Sequence, residues 1–88
     1  MVRRRLVIHG RVQGVFFRDS LQRLAEKQGV AGWARNTWEG TVEAVLEGEP
    51  AAVARVVEFA RLGPESARVE RVDVSEEEPE ALHGFEIR

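Results

Sequence analysis

Residues 4–29, RRLVIHGRVQGVFFRDSLQRLAEKQG, contain a change of hydrophobic period that decides the fold. Residues 4–9 read as a strand that has Leu6 and Ile8 on one face and ends at Gly10. From Phe17 onward the apolar residues are three or four positions apart, which is typical of a helix that buries one face. Gly29 is expected to end this helix. The stretch therefore predicts a strand, a loop with two glycines and a helix.

A hairpin is predicted next along the chain. Residues 31–37 and 41–47 each read as a strand, and the second of them has apolar residues at alternate positions. The segment Trp38-Glu39-Gly40 between them is short enough to be a tight turn. The two strands are therefore expected to pair directly.

A second helix is expected to begin at Pro50, because proline suits the first helical position. It is expected to end at Gly63-Pro64. Between these points lies an apolar stripe at helical spacing, which must be buried; it consists of Val53, Val56, Val57 and Ala60.

Two strands are predicted in the last part of the chain. Residues 68–74 read as a strand, but Val69 is out of phase with the alternation, which indicates a bulge or an irregular start. The acidic segment 76–80 is expected to be a solvated loop. Residues 85–88 are expected to form a short closing strand.

The predicted elements follow the order β-α-β-β-α-β, with one short strand added at the end. Such a split β-α-β arrangement places two helices on one face of a mainly antiparallel sheet. The sequence therefore predicts a ferredoxin-like α/β sandwich of the α+β class, formed as one domain by residues 1–88. The fold alone does not indicate a function.

Composition excludes several classes of function. The net charge is −2, so the chain has no overall attraction for nucleic acid or for an anionic membrane, and neither is expected as a partner. There is no cysteine, and His9 and His83 are far apart in sequence, so no metal and no other cofactor is expected. No long apolar segment follows the N-terminal arginines, which predicts a cytoplasmic protein without a signal peptide.

Arginine almost completely replaces lysine in this chain. Twelve of the 13 basic residues are arginine, and Asn36 is the single asparagine. This bias fits a protein from a thermophile. A genome rich in G+C would also favour arginine, so both explanations stay open.

The loop over residues 10–18, GRVQGVFFR, has the composition of a phosphate site. Its glycines permit backbone angles that direct several N–H groups at one anion. The start of the following helix adds its positive end, and Arg18 in the first turn offers a planar pair of donors. On spacing alone, a simple connector with a solvated Arg18 remains an alternative.

Asn36 is a second candidate, at the end of a predicted strand and beside the hairpin turn. Asparagine favours turns in any protein, which is the structural explanation. However, a neutral carboxamide can accept a hydrogen bond from water and donate one to a phosphoryl oxygen. Asn36 could therefore place a water molecule without repelling a phosphate.

The segments 10–18 (GRVQGVFFR) and 32–37 (GWARNT) together closely resemble the two signature segments of the acylphosphatase family. The resemblance extends over essentially the whole chain, and Ala34, where a larger β-branched residue is usual, is its one small departure. It implies a ferredoxin-like fold and a cytosolic, metal-free, monomeric enzyme. It also implies that Arg18 and Asn36 are catalytic and that the phosphate-binding residues are Val12, Gln13, Gly14, Val15, Phe16, Phe17 and Arg18.

The expected reaction is hydrolysis of the carboxyl–phosphate bond of a small acyl phosphate by in-line attack of water. Inorganic phosphate is expected as product and as inhibitor. The alternative is a non-catalytic module of the same fold that binds acyl or carbamoyl phosphate, which would need the Arg18 loop but not Asn36. Trp33 and Trp38 are expected to pack in the core and in the turn, because the motif and basic sheet face of an RNA-binding domain are absent.

Overall fold

The computed structural model describes residues 1–88. Two helices pack on one face of a five-stranded sheet with the strand order β4-β1-β3-β2-β5. The ferredoxin-like α+β fold expected from the sequence is confirmed. The elements are β1 (Val2–Arg11), α1 (Phe17–Gln28), β2 (Ala31–Asn36), β3 (Val42–Gly48), α2 (Pro50–Leu62), β4 (Arg68–Glu77) and β5 (Phe85–Ile87).

Strand pairing brings two distant parts of the chain to the same end of the sheet. β3 is antiparallel to both β1 and β2, and Val42 of β3 pairs with Ile8 on one side and with Asn36 on the other. β1 and β2 therefore run in the same direction, and their carboxyl ends lie together. The loop after β1 and the end of β2 meet at this point. β4 is antiparallel to β1, whereas β5 is parallel to β2.

The hydrophobic core lies between the sheet and the helices. Leu6 and Leu46 from the sheet, Leu21 from α1 and Val56 from α2 are fully buried in one cluster of 17 residues. Each such side chain contributes roughly 1.5–3 kcal/mol by leaving water. The core stripe predicted for α2 is confirmed, with Val57 only partly buried at its margin.

The helix-free face of the sheet carries a network of ion pairs instead of a second apolar layer. Arg3 is 5% exposed and donates to the carboxylate of Glu47, which is 2% exposed, over 2.7 Å. Arg3 and Arg5 both bind Glu77 of β4. Arg5 and Arg35 share the carboxylate of Glu43.

These contacts correct the sequence analysis, which placed residues 76–80 in a solvated loop. β4 continues to Glu77, because Arg3 pairs with Glu77 in register and by its side chain. Burial alone would raise the pKa of Glu47, but hydrogen bonds from Arg3 and from the backbone N–H groups of Glu80 and Leu82 outweigh it, so this pKa is lowered. The pKa of Glu77 is lowered by Arg5 and then by Arg3.

The two tryptophans differ from expectation. Trp33 is buried, but it lies outside the core cluster, where the Arg88 guanidinium stands 4.7 Å and the Arg5 guanidinium 5.5 Å from its ring. Trp38 is fully exposed at the tip of the hairpin, where the polar turn offers it no apolar surface. The prediction that Trp38 packs in the turn is therefore wrong.

A bulge occurs where β1 pairs with β4. His9 pairs with Arg71 and Gly10 with Val69, so Glu70 is an extra residue in β4. This confirms the irregularity predicted at Val69. β1 does not end at Gly10, as the sequence suggested, but continues through it. Gly10 has φ 127°, and a Cβ atom there would lie 2.1 Å from the backbone oxygen of Arg68, so only glycine fits.

Neither helix is both long and apolar enough to cross a membrane.

Candidate active site

A cavity of about 380 Å³ opens at the end of the sheet where β1 and β2 finish. It is bounded by the loop between β1 and α1, the first turn of α1 and the last residue of β2. Its lining residues are Val12, Gly14, Phe16, Phe17, Arg18, Asp19 and Asn36. The two candidate catalytic residues, 18 positions apart in sequence, therefore face one space.

The loop before α1 has the backbone shape of an anion site. Gly14 has φ 74°, and Phe16, the N-cap of α1, also lies in the left-handed region with φ 60°. No side chain caps the helix at this end. The first turn of an α-helix contains N–H groups without intrahelical partners, and its positive end attracts an anion. The uncapped end of α1 is thus suited to a phosphate group.

Arg18 lies in that first turn and makes no ion pair. Its Nη1 atom donates a hydrogen bond to the backbone oxygen of Arg88 over 3.1 Å. Other arginines, such as Arg3 and Arg5, are neutralised by carboxylates. A guanidinium has five N–H donors in a fixed plane. Arg18 therefore retains its charge and most of its donors for an anion in the cavity.

Asn36 is the last residue of β2, and its Oδ1 atom is buried without a hydrogen-bond partner. An unsatisfied buried polar atom costs about 1–3 kcal/mol. Each such atom in a native fold needs an explanation, and a catalytic role or a bound water molecule is among the usual ones. Because Asn36 also lines the cavity, its carboxamide is in position to bond a water molecule there.

The side chain of Gln13 connects the two halves of the site. Its Nε2 atom donates to the backbone oxygens of Thr37 and Thr41, each over 2.9 Å. The hydroxyl groups of these two threonines also lie 2.6 Å apart. The phosphate loop is thus fixed to the base of the hairpin that begins next to Asn36.

Five of the seven residues predicted to bind phosphate line the cavity, whereas Gln13 and Val15 do not. Val15 is buried, and its backbone oxygen accepts a weak hydrogen bond from Ser66 Oγ at 3.3 Å. Sequence reasoning missed Asp19, an exposed carboxylate on the cavity wall. Its place directly after Arg18 was the available signal.

The Acylphosphatase family model matches residues 4–87. The chain belongs to the acylphosphatase family. An acylphosphatase of Thermococcus kodakarensis is 56% identical over 98% of this chain and 94% of its own length. The crystal structure of the Bacillus subtilis acylphosphatase is 37% identical, with a TM-score of 0.96, and the match covers 100% of this chain and 99% of that one. The predicted family and enzyme class are confirmed.

A segment of similar fold also occurs inside a larger protein. A full-length HypF, solved in a phosphate- and nucleotide-bound form, is 26% identical with a TM-score of 0.91. The match covers 99% of this chain but only 12% of that one. The relative from Thermococcus agrees weakly with a thermophilic source, which stays a prediction.

Proposed function

We propose that this acylphosphatase hydrolyses the carboxyl–phosphate bond of small acyl phosphates through Arg18 and Asn36. Water attacks phosphorus in line with the leaving carboxylate, which releases inorganic phosphate. The observation that carries this mechanism is the shared cavity, in which an arginine without an ion pair faces an asparagine with an unpaired buried oxygen.

Arg18 and the N–H groups of the loop hold the phosphate in this mechanism. Phosphoryl transfer depends mainly on positioning and on stabilising the charge of the peripheral oxygens. A guanidinium can bind two of these oxygens at once. Because the donors are already fixed by the loop and by the helix end, they need little rearrangement as the transition state forms.

Asn36 orients the attacking water. Its Oδ1 atom accepts a hydrogen bond from the water, and its amide nitrogen can donate to a phosphoryl oxygen. A carboxylate in its place would repel the substrate. The proton of the water passes to a phosphate oxygen of the substrate, since no side-chain base is required by this scheme.

The leaving group explains why a strong general acid is unnecessary. A carboxylic acid has a pKa of about 4, so the carboxylate leaves without prior protonation. The positive charge of Arg18 takes the place that a metal ion has in many phosphoryl-transfer enzymes. We therefore expect turnover without a metal: it should survive EDTA, and a loss restored by Mg²⁺ or Zn²⁺ would contradict the mechanism.

Inorganic phosphate resembles the bound half of the substrate, so we infer that it inhibits competitively as the product. A cytoplasmic location and a monomeric state are also proposed, on the basis of the family resemblance. Gel filtration with light scattering should give a mass near 9.9 kDa for a monomer.

The competing proposal is a non-catalytic module that binds acyl or carbamoyl phosphate without cleaving it. Such a module could serve as one part of a larger enzyme. The unpaired Oδ1 atom of Asn36 favours the hydrolase, because binding alone needs only the Arg18 loop. Phosphate release from benzoyl phosphate, measured against buffer alone, decides between them. Binding without release would support the module.

A further inference from the structure

Phe16 combines two features that the fold does not explain. Its backbone is in the left-handed region with φ 60°, and its side chain is 76% exposed. A residue with a Cβ atom is strained in this region, and such strain clusters at functional sites. A largely exposed ring recovers little free energy through burial. Folding therefore gains little from a phenylalanine at this position.

Exposure alone does not identify a role, because Trp38 is even more exposed. The two residues differ in place. Phe16 lines the cavity that Arg18 and Asn36 share, whereas Trp38 does not. An aromatic ring on the wall of a phosphate site is positioned to meet the rest of the ligand.

The geometry of in-line attack identifies the part of the ligand that meets the ring of Phe16. The water and the leaving carboxylate lie on opposite sides of phosphorus. Asn36, with its buried Oδ1 atom, marks the inner side, so the acyl group lies toward the mouth. The exposed lining residues are Gly14, Phe16 and Asp19. Of these, only Phe16 offers an apolar side chain.

We propose that the ring of Phe16 binds the acyl group and gives the enzyme a preference for acyl phosphates with a flat, apolar acyl group. This inference rests on the proposed function and names its substrate class. A ring-on-ring contact is worth about a three- to tenfold difference in binding. Benzoyl phosphate should therefore be preferred over acetyl phosphate through this contact.

The test compares kcat/KM for benzoyl and acetyl phosphate in the parent and in Phe16→Ala, Phe16→Leu and Phe16→Tyr. The ratio of the two values cancels any change that the variants cause at the phosphate end. We expect the benzoyl-to-acetyl ratio to fall about three- to tenfold in Phe16→Ala, less in Phe16→Leu, and to persist in Phe16→Tyr. Trp38→Ala, which removes an exposed aromatic ring outside the cavity, is the matched control and should keep the parental ratio.

The outcomes separate this inference from the proposed function. A parent that hydrolyses neither compound overturns both. A parent that hydrolyses both, with a ratio that Phe16→Ala leaves within about twofold, overturns the role of the ring and leaves the hydrolase intact. An equal fall in Trp38→Ala also overturns it, because the effect would then not come from the cavity.

Discussion

The side-chain amide of Gln13 holds the backbone oxygen of Thr37 at 2.9 Å, one residue beyond Asn36. Its second hydrogen bond, to Thr41, closes the base of the same hairpin. One side chain that lies outside the cavity therefore adds to strand pairing in setting the separation between the phosphate loop and Asn36.

Replacing Gln13 by alanine should reduce kcat by about tenfold or more, because small errors in placing the reacting groups are costly. Gln13→Glu should be at least as harmful, since a carboxylate cannot donate to two carbonyl oxygens. Gln22→Ala is the matched control, because Gln22 on α1 donates one similar hydrogen bond to the backbone oxygen of Phe85 in β5. If both alanine variants lowered kcat equally, Gln13 would have only a structural role.

Asn36→Ala should reduce kcat by about a hundredfold or more, while inhibition by inorganic phosphate stays near the parental value. The reason is that Asn36 acts on the water, whereas Arg18 and the loop hold the phosphate. A contact made chiefly in the transition state gives this separation of kcat from binding. Asn36→Asp should be no more active, because its charge repels the substrate.

Circular dichroism must first show that both Asn36 variants are folded. An equal loss of kcat and phosphate affinity would make Asn36 a ligand of the substrate. Unimpaired turnover would remove it from the mechanism altogether.

Arg18→Gln should weaken phosphate inhibition by about 10- to 100-fold and reduce turnover at least as strongly. A hydrogen bond to a charged group contributes about 1.5–3 kcal/mol, which corresponds to this range. Arg23→Gln is the control, because Arg23 is an exposed arginine on the same helix, outside the cavity. Near-parental inhibition by phosphate in Arg18→Gln would show that the loop amides suffice.

Glu47→Gln should lower the free energy of unfolding by about 2 kcal/mol, because the buried guanidinium of Arg3 loses one of its two close carboxylates and keeps only Glu77. Glu76→Gln on β4 is the control, since the Glu76 carboxylate is 78% exposed and forms a surface ion pair with Arg4 at 3.5 Å. Its effect on the free energy of unfolding should stay below about 1 kcal/mol. Urea titration at pH 7 measures both. Similar values for the two variants would contradict the role of burial.

The pKa values of Glu47 and Glu77 predict how stability changes with acid. Both lie below the ordinary value of 4.5 in the folded chain. The unfolded chain therefore takes up protons first as the pH falls. Their stabilisation is complete well above pH 4.5 and is lost as the pH drops through the lowered values. The thermal midpoint, followed from pH 7 to pH 3, should fall in that window, and less steeply in Glu47→Gln.

The order and type of the elements could be predicted from sequence because most of them have a recognisable hydrophobic period, and both helices end at a glycine. The positions at which the strands end could not be predicted, since they depend on residues of the neighbouring strands. β4 reaches Glu77 only because arginines of β1 lie across from it. The course of β1 beyond Gly10 depends on a bulge whose extra residue belongs to another strand.

Some residues of the candidate site could likewise be predicted from sequence, and others could not. Arg18 and Asn36 could be selected from motifs, and pairing of β1 and β2 with β3 explains why they meet. The two hydrogen bonds that Gln13 donates to the hairpin could not be predicted, because glutamine has no turn or cap preference that indicates such a role. The positions of Asp19 and of the exposed Phe16 ring on the cavity wall became evident only from the structure.

The edge position of β4 has a consequence for aggregation. One side of this ten-residue strand has no neighbouring strand, so its free N–H and C=O groups could template the addition of another chain. Six of its residues are charged and the bulge at Glu70 interrupts its regular pairing, which opposes such addition. Acid neutralises the four carboxylates among them. We therefore expect acid to weaken the protection of this edge against the addition of another chain.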